Sequence, residues 1–136
     1  KYAITYFYNV YGGREISTGK YATLIALFRE KYQNGEPLTV VSPGTQVRNF
    51  THIDDIISGL IIVGSKGEGD NYGIGCSQVY SILDIAKMFG SEVKMLPKRK
   101  GNRLSSSVVC DKTKGLGWSE SHAVVDYISD IVNADK

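Results

Sequence analysis

Short runs of β-branched and aromatic residues alternate with stretches whose apolar residues recur every three or four positions. This alternation constrains the fold more than any other feature of the chain. Ala3 to Val10 is rich in Ile, Thr, Tyr, Phe and Val, side chains that suit a pleated, half-buried surface, and Gly12-Gly13 ends the run. Tyr21 to Gln33 carries Ala22, Ile25, Phe28 and Tyr32 at helical spacing, and Asn34-Gly35 is a stop signal with Pro37 just beyond it. Leu38 to Val41 reads as a short strand, and Val47 to Thr51 as another extended piece. Thr51 to Asp54 has capping-box spacing, which predicts a helix over 53–64. A glycine-rich loop over 64–70 and a strand over 71–75 follow. Ser81 to Asp84 is a second capping box, opening a helix that carries Ile82, Ile85, Ala86 and Phe89 and stops at Gly90. Glu92 to Leu96 and Ser107 to Cys110 read as strands. The last helix is expected to bury Val124, Val125, Ile128 and Val132, with a polar tail from Asn133. Strands that alternate with helices make the class α/β.

Composition removes several function classes. The chain has 136 residues, 42% hydrophobic and 22% charged, enough for one domain with a modest core. Sixteen basic residues against fourteen acidic ones leave a formal charge of +2, without the basic bias of a nucleic-acid binder. The longest apolar stretch, Ile56 to Val63, is too short to span a membrane and is broken by Ser58 and Gly59. Cys76 and Cys110 make neither a metal-type pair nor a disulfide framework, which points to a reduced, cytoplasmic setting. The chain opens Lys1-Tyr2 without Met and is already in a strand, as a fragment of a longer protein would be.

Three common sites are missing from the sequence. Gly73-Ile74-Gly75 has Gln78 where a dinucleotide fingerprint needs a third glycine, and Gly64, Gly67 and Gly69 follow a helix instead of a strand. There is no phosphate-binding P-loop and no nucleophile elbow. His52 and His122 stand apart in sequence, without metal-ligand spacing, and read as surface or capping residues. What remains is a set of anion-binding candidates. Arg48 precedes the aromatic Phe50, and Lys98, Arg99, Lys100 and Arg103 cluster after Pro97. Two guanidinium groups from separate loops can clamp a diphosphate through paired hydrogen bonds, although a solvated basic loop would look the same in sequence.

The order of short motifs resembles the extended short-chain dehydrogenases, the NAD-dependent nucleotide-sugar epimerases and dehydratases, and most nearly the UDP-glucose 4-epimerases. Tyr6-Phe7-Tyr8-Asn9-Val10-Tyr11-Gly12-Gly13-Arg14 is similar to their strand and turn RYFNVYGPR, and Gly35-Glu36-Pro37-Leu38-Thr39-Val40 to GEPLTI. Gln46 to Asp55 resembles Q-x-RDFxHVDD, Asn71 to Gly75 with Tyr80-Ser81 resembles their YNIG step, Pro97 to Asn102 resembles PxRxGD, and Leu116-Gly117-Trp118 matches LGW.

The resemblance implies that 1–136 is the C-terminal, substrate-binding domain, with edge strands at Ala3 and Asn71 of a nucleotide-binding sheet that lies outside it. The dinucleotide fingerprint and the catalytic Tyr-x-x-x-Lys pair would lie upstream, so no catalytic residue is expected here and the chain alone would be inactive. It further implies that Asn9 contacts the nucleotide-diphosphate sugar near its diphosphate. Thr23 and Leu24 would line the nucleotide pocket, and Thr39, Val40 and Val41 would flank the base. Arg48 and Arg99 would bind the diphosphate, Asn102 a ribose, and Phe7 and Tyr8 would lie beside the nicotinamide of NAD. Two positions depart from the family: its acids are Asn49 and Asn102 here, and the stretch from Asp111 to Trp118 is short, so its helix is expected to be reduced. The expected partners are the family's N-terminal NAD-binding domain and a second copy. Besides the epimerase, a 4,6-dehydratase fragment, a non-catalytic module that dimerises through open strand edges, and an unrelated α/β domain fit the sequence.

Overall fold

Parallel pairing of strands far apart in the chain, with helices crossing between them, organises the molecule. The computed structural model describes residues 1–101, 105–106 and 108–135. In chain order the elements are β1 (Ala3–Tyr6), β2 (Val10–Tyr11), α1 (Leu24–Gln33), β3 (Leu38–Val41), β4 (Val47–Asn49), β5 (Thr51–His52) and α2 (Ile53–Lys66). There follow β6 (Gly69–Gly73), β7 (Val79–Ser81), α3 (Ile82–Phe89), β8 (Val93–Leu96), β9 (Ser105–Ser106), α4 (Asp111–Lys114) and α5 (Val124–Ala134). β1 pairs with β6, β2 with β5 and β3 with β8, all parallel; β4 lies between antiparallel β7 and parallel β9.

The run expected as one strand over 3–10 is two strands in different sheets. Asn9 has φ 52°, a left-handed conformation that Asn tolerates better than most residues, and its carbonyl accepts from the Thr51 amide at 3.2 Å. The chain turns there from the β1–β6 pair into the β2–β5 pair. Helix α1 begins at Leu24 and not near Tyr21, because Gly19 (φ 80°) makes a turn in which Ala22 N–H reaches the Gly19 carbonyl and Thr23 N–H the Ile16 carbonyl. The Asn34-Gly35 stop works as expected, with Gly35 at φ 70°.

The two capping boxes behave differently. Ser81 and Asp84 form the complete reciprocal pair, each side chain accepting from the other's backbone N–H at 3.0 Å. At α2 the cap is His52 and not Thr51: His52 Nδ1 accepts from the Asp54 amide at 3.1 Å. Thr51 is a strand residue whose buried hydroxyl accepts from the Cys76 amide at 2.9 Å. Helix α2 also runs past Gly64 to Lys66.

The main core gathers Tyr11, Ile25, Phe28, Leu38, Phe50, Ile85, Phe89 and Ile128, with Phe28 and Phe89 edge to face at 6.0 Å. On α5, Val124 and Ile128 are buried and Val132 packs against the same core as expected, while Val125 is exposed and Tyr127 and Ile131 complete the face. The expected strand over 107–110 is not formed at 108–110, and Ser107 lies outside the described residues. α4 is a single four-residue turn, the reduced helix that the sequence implied.

A second cluster, Ile56, Ile74, Cys110 and Trp118, fixes α2 to the end of β6 and to the segment over 110–118. Gly59 lets α2 approach Ile74, since a Cβ there would stand 2.8 Å from Ile74 Cγ2. Trp118 Nε1 donates to the Asp55 carbonyl at 3.0 Å. The Asp55 carboxylate, 2% exposed, accepts from the Ser121 and His122 amides, from Ser121 Oγ at 2.9 Å, and meets His122 Nδ1 at 3.0 Å. Burial opposes its charge, but these hydrogen bonds outweigh it and hold the carboxyl below its ordinary 3.8. Such a group stabilises the fold fully above its unfolded pKa and loses that contribution as pH falls through the lower native value.

Asn49 also faces inward. It is 2% exposed, and its Nδ2 donates to the Cys76 carbonyl at 3.2 Å. The departure from the family's acid at this position therefore bears on packing and not on ligand charge.

Two stability predictions follow from these buried groups. Asp55→Ala should cost about 1–3 kcal/mol through its orphaned donors. It should also flatten the loss of stability below pH 4, as read by urea unfolding at several pH values; an unchanged midpoint would contradict the role given to this carboxylate. Asn49→Asp sets a buried carboxylate against a carbonyl, which raises its pKa, so the destabilisation should be larger at pH 7 than at pH 4. Equal midpoints for Asn49→Asp and wild type at pH 7 would refute the inward contact.

Candidate functional site

Strands β3 and β8 run side by side and end together at Val41 and Leu96. Their carboxyl ends open onto a cleft of about 320 Å³, the position where open α/β sheets take ligands. The cleft is lined by Asn9, Leu24, Leu27, Thr39, Val41, Gln46, Arg48, Phe50, Ile82, Leu96 and Arg99. Asn9, Leu24, Thr39, Val41, Arg48 and Arg99, named from the sequence as substrate contacts, are thus brought around one space from segments up to 90 residues apart. The alternation of β3 decides the exception: Thr39 and Val41 face the cleft, while Val40 is 1% exposed with its side chain in the core, leaving only its backbone for the cleft.

The remaining candidates lie elsewhere. Thr23 opens onto an adjoining cleft of about 380 Å³, lined by Asn9, Val10, Glu15, Ala22, Thr23, Leu24, Ile25 and Phe50. Phe7 and Tyr8 are exposed at the end of β1, and Tyr8 lines a separate hollow with Tyr6, Asn71, Gly73, Val108 and Val109. Asn102 and Arg103 lie outside the described residues. Lys98 and Lys100 are exposed in the loop that carries Arg99.

The cleft suits a partly apolar, partly anionic ligand. Leu24, Leu27, Phe50, Ile82 and Leu96 make an apolar floor, and Arg48 and Arg99 bring two guanidinium groups to its wall. Arg48 Nη1 is oriented by a 2.7 Å bond to the Val47 carbonyl. Planar guanidinium forks match the oxygens of a phosphate bidentately, which a lysine does not. Gln46 is a lining residue that sequence reasoning missed. Its Nε2 donates to the Val41 carbonyl at 3.3 Å, which leaves the buried Oε1 without a hydrogen bond. The signal was present: Gln46 stands two residues before Arg48 in extended chain, hence on the same side.

Glu15 is a second missed residue. Both of its carboxyl oxygens are shielded from solvent and neither accepts a well-formed hydrogen bond. Burial pushes the carboxyl up to about 7, against the smaller opposing effects of the Gly12 amide, the Arg29 guanidinium and the Thr23 hydroxyl. Nothing in the sequence marked it, since a charged residue in a glycine-rich turn reads as solvated.

The two histidines, read as unrelated, meet face to face. Their rings stack at 4.3 Å with 13° between planes, and His52 also packs edge-on against Tyr11 at 5.3 Å. His52, Asp54 and His122 bring ligand-type atoms within 4.8 Å of one another. The lone pairs of stacked rings lie in nearly parallel planes and do not converge on one ion, so the stack serves packing beside the Asp55 network.

Phe7 and Tyr8 offer an aromatic edge to a planar cofactor ring. The sequence has no glycine-rich strand-turn-helix to hold a dinucleotide diphosphate, so these residues do not by themselves fit a complete NAD site. No described helix is long and apolar enough to cross a membrane.

Comparison with known proteins agrees with this geometry. Residues 1–75 match the family described as NAD dependent epimerase/dehydratase. A putative UDP-glucose 4-epimerase of Methanocaldococcus jannaschii is 28% identical, covering 98% of this chain and 45% of its own length. A trifunctional UDP-glucose 4,6-dehydratase/UDP-4-keto-6-deoxy-D-glucose 3,5-epimerase/UDP-4-keto-L-rhamnose-reductase of Arabidopsis thaliana is 30% identical over 82% of this chain and 18% of its own. The crystal structure of UDP-glucose 4-epimerase with UDP-glucose from Thermotoga maritima superposes with a TM-score of 0.88 at 25% identity, over 97% of this chain and 45% of that one. The chain thus spans less than half the length of the relatives it matches. With its parallel α/β framework and a match over more than half its residues, the chain belongs to the NAD-dependent epimerase/dehydratase family.

Proposed function

We infer that this chain is the sugar-nucleotide-binding part of an NAD-dependent nucleotide-sugar epimerase of the UDP-glucose 4-epimerase kind. The observation that carries the reading is the cleft at the ends of β3 and β8, where Arg48 and Arg99 stand over an apolar floor. In this reading the two arginines hold the diphosphate, Asn9 lies beside it, and Leu24, Thr39 and Val41 enclose the nucleoside, with backbone groups of Val40 available to the base. Gln46 Oε1 supplies an acceptor within the same space. Asn102 is proposed at the ribose.

The dinucleotide site and the Tyr-x-x-x-Lys pair come, in this reading, from protein outside these 136 residues. The cofactor takes and returns hydride at the sugar carbon, while this chain anchors the remote nucleotide end. Binding energy from that end orients the reacting carbon. Supporting a docked nucleotide-binding domain, β1 pairs with β6 alone among the described residues, and Ile4 and Tyr6 of β1 and Ile57 and Ile61 of α2 are exposed apolar side chains. Parallel sheets are normally covered on both faces and extended by further strands, and an open two-stranded pair is marginal on its own. The chain alone is then inactive.

The test uses the full-length gene product. Incubated with UDP-glucose, it should yield UDP-galactose by NMR; a 4-keto-6-deoxy sugar would replace the epimerase reading by the 4,6-dehydratase one. Arg48→Ala and Arg99→Ala should each weaken UDP-glucose binding by about 1.5–3 kcal/mol in calorimetry, the value of a hydrogen bond to a charged group. Unchanged affinity in both variants would refute the diphosphate clamp.

A further inference from the structure

Glu15 and Thr23 present an unusual pairing: two side chains on one small cleft whose shielded oxygens, both carboxyl oxygens of Glu15 and Oγ1 of Thr23, have no well-formed hydrogen bond. Buried polar groups are normally satisfied, and an exception at a cavity wall points to a hydrogen-bonding ligand. This cleft adjoins the arginine-lined one, and Asn9, Leu24 and Phe50 line both. A ligand whose diphosphate lies against Arg48 and Arg99 can therefore extend past Asn9 toward Glu15.

Building on the function proposed above, we propose that Glu15 is a specificity residue: its carboxyl, with the Thr23 hydroxyl, receives the hydroxyl groups of a neutral sugar and rejects a sugar acid. The chemistry matches on both sides. A carboxylate accepts hydrogen bonds from two sugar hydroxyls, and the threonine hydroxyl both donates and accepts. A sugar carboxylate brought to the same place sets two like charges together away from bulk water, which is a repulsive element of the kind that creates specificity.

The groups around Glu15 leave this selection intact. Arg29 of α1 is the nearby cation, and its Nη1 is engaged by the Tyr127 hydroxyl of α5 at 3.1 Å. On the outer side, Arg14, His52 and Asp54 share a larger cleft with Glu15. Burial still prevails over the Arg29 charge, so the carboxyl titrates near neutrality, at about 7. Selection against a sugar acid should accordingly be strong at pH 8 and fade by pH 6, as the carboxyl becomes a neutral acid that donates one hydrogen bond.

The experiment is calorimetry on the full-length protein with UDP-glucose, UDP-glucuronate and UDP. At pH 8 the wild type should prefer UDP-glucose to UDP-glucuronate by about tenfold or more, and the preference should shrink severalfold at pH 6. Glu15→Gln should collapse the ratio at pH 8, chiefly by tightening UDP-glucuronate. It should also remove the pH dependence of the ratio and leave UDP binding unchanged. Should Glu15→Gln fail to fold, the wild-type pH series and Thr23→Val decide alone; Thr23→Val should weaken UDP-glucose severalfold more than it weakens UDP. Equal affinities for the two sugars in wild type, or a ratio indifferent to pH and to Glu15→Gln, overturns the proposal while the clamp stands. Failure of UDP itself to bind overturns the function on which the proposal rests.

Discussion

One buried carboxylate holds the two halves of this chain in register. Asp55 sits in the first turn of α2, where the helix dipole already favours negative charge. Its side chain gathers both backbone and side-chain groups of Ser121 and His122, and its carbonyl takes the Trp118 indole. A segment more than sixty residues away is thereby fixed to the end of β5. From that anchor α5 returns across the main core, placing Val124 and Ile128 against it and Tyr127 over Tyr11 at 5.1 Å. Without this tie nothing compensates the cost of burying the charge, which is why the interaction is satisfied so completely.

The left-handed turn at Asn9 makes a comparable decision at the other end. It sends β1 toward β6 and β2 toward β5, so that one continuous run of sequence belongs to two sheets. The same residue lines both clefts of the candidate site. The site is thus built at the point where the chain changes sheets.

How much of this could be read from the sequence depended on the range of the interaction concerned. The Ser81–Asp84 box and the Asn34-Gly35 stop are set by neighbours within four residues, and both are formed; β3 is formed too, legible from its β-branched run although its partner β8 lies more than fifty residues away. The break at Asn9 depends on the amide of Thr51, a tertiary neighbour, while the Gly19 turn before α1 and the His52 cap are local hydrogen bonds that hydrophobic periodicity does not encode. For the site, the ordered motifs carried Arg48, Arg99, Asn9, Leu24, Thr39 and Val41, which the fold gathers around one cleft. Glu15 escaped because its importance is its burial, and burial of a charged turn residue is invisible in a single sequence. The meeting of His52 with His122 was invisible for the same reason: seventy residues separate them, and only the Asp55 tie brings their rings together.

The arrangement also divides the work of binding. The arginine-lined cleft stands at the end of a parallel pair packed on helices, with Arg48 on β4 and Arg99 in the loop after β8. In the proposed function, a diphosphate held by guanidinium groups says nothing about the sugar, because every nucleotide sugar presents the same phosphates. On the proposal that Glu15 selects the sugar, discrimination comes from the far side of Asn9. There the wall is the turn over 12–19, carrying a shielded carboxyl without a well-formed hydrogen bond. An unsatisfied acceptor costs stability in the free protein, and a ligand that supplies donors recovers that cost on binding. Such a group contributes most to a ligand that matches it and penalises one that does not, so the less stable part of the site is the part able to choose.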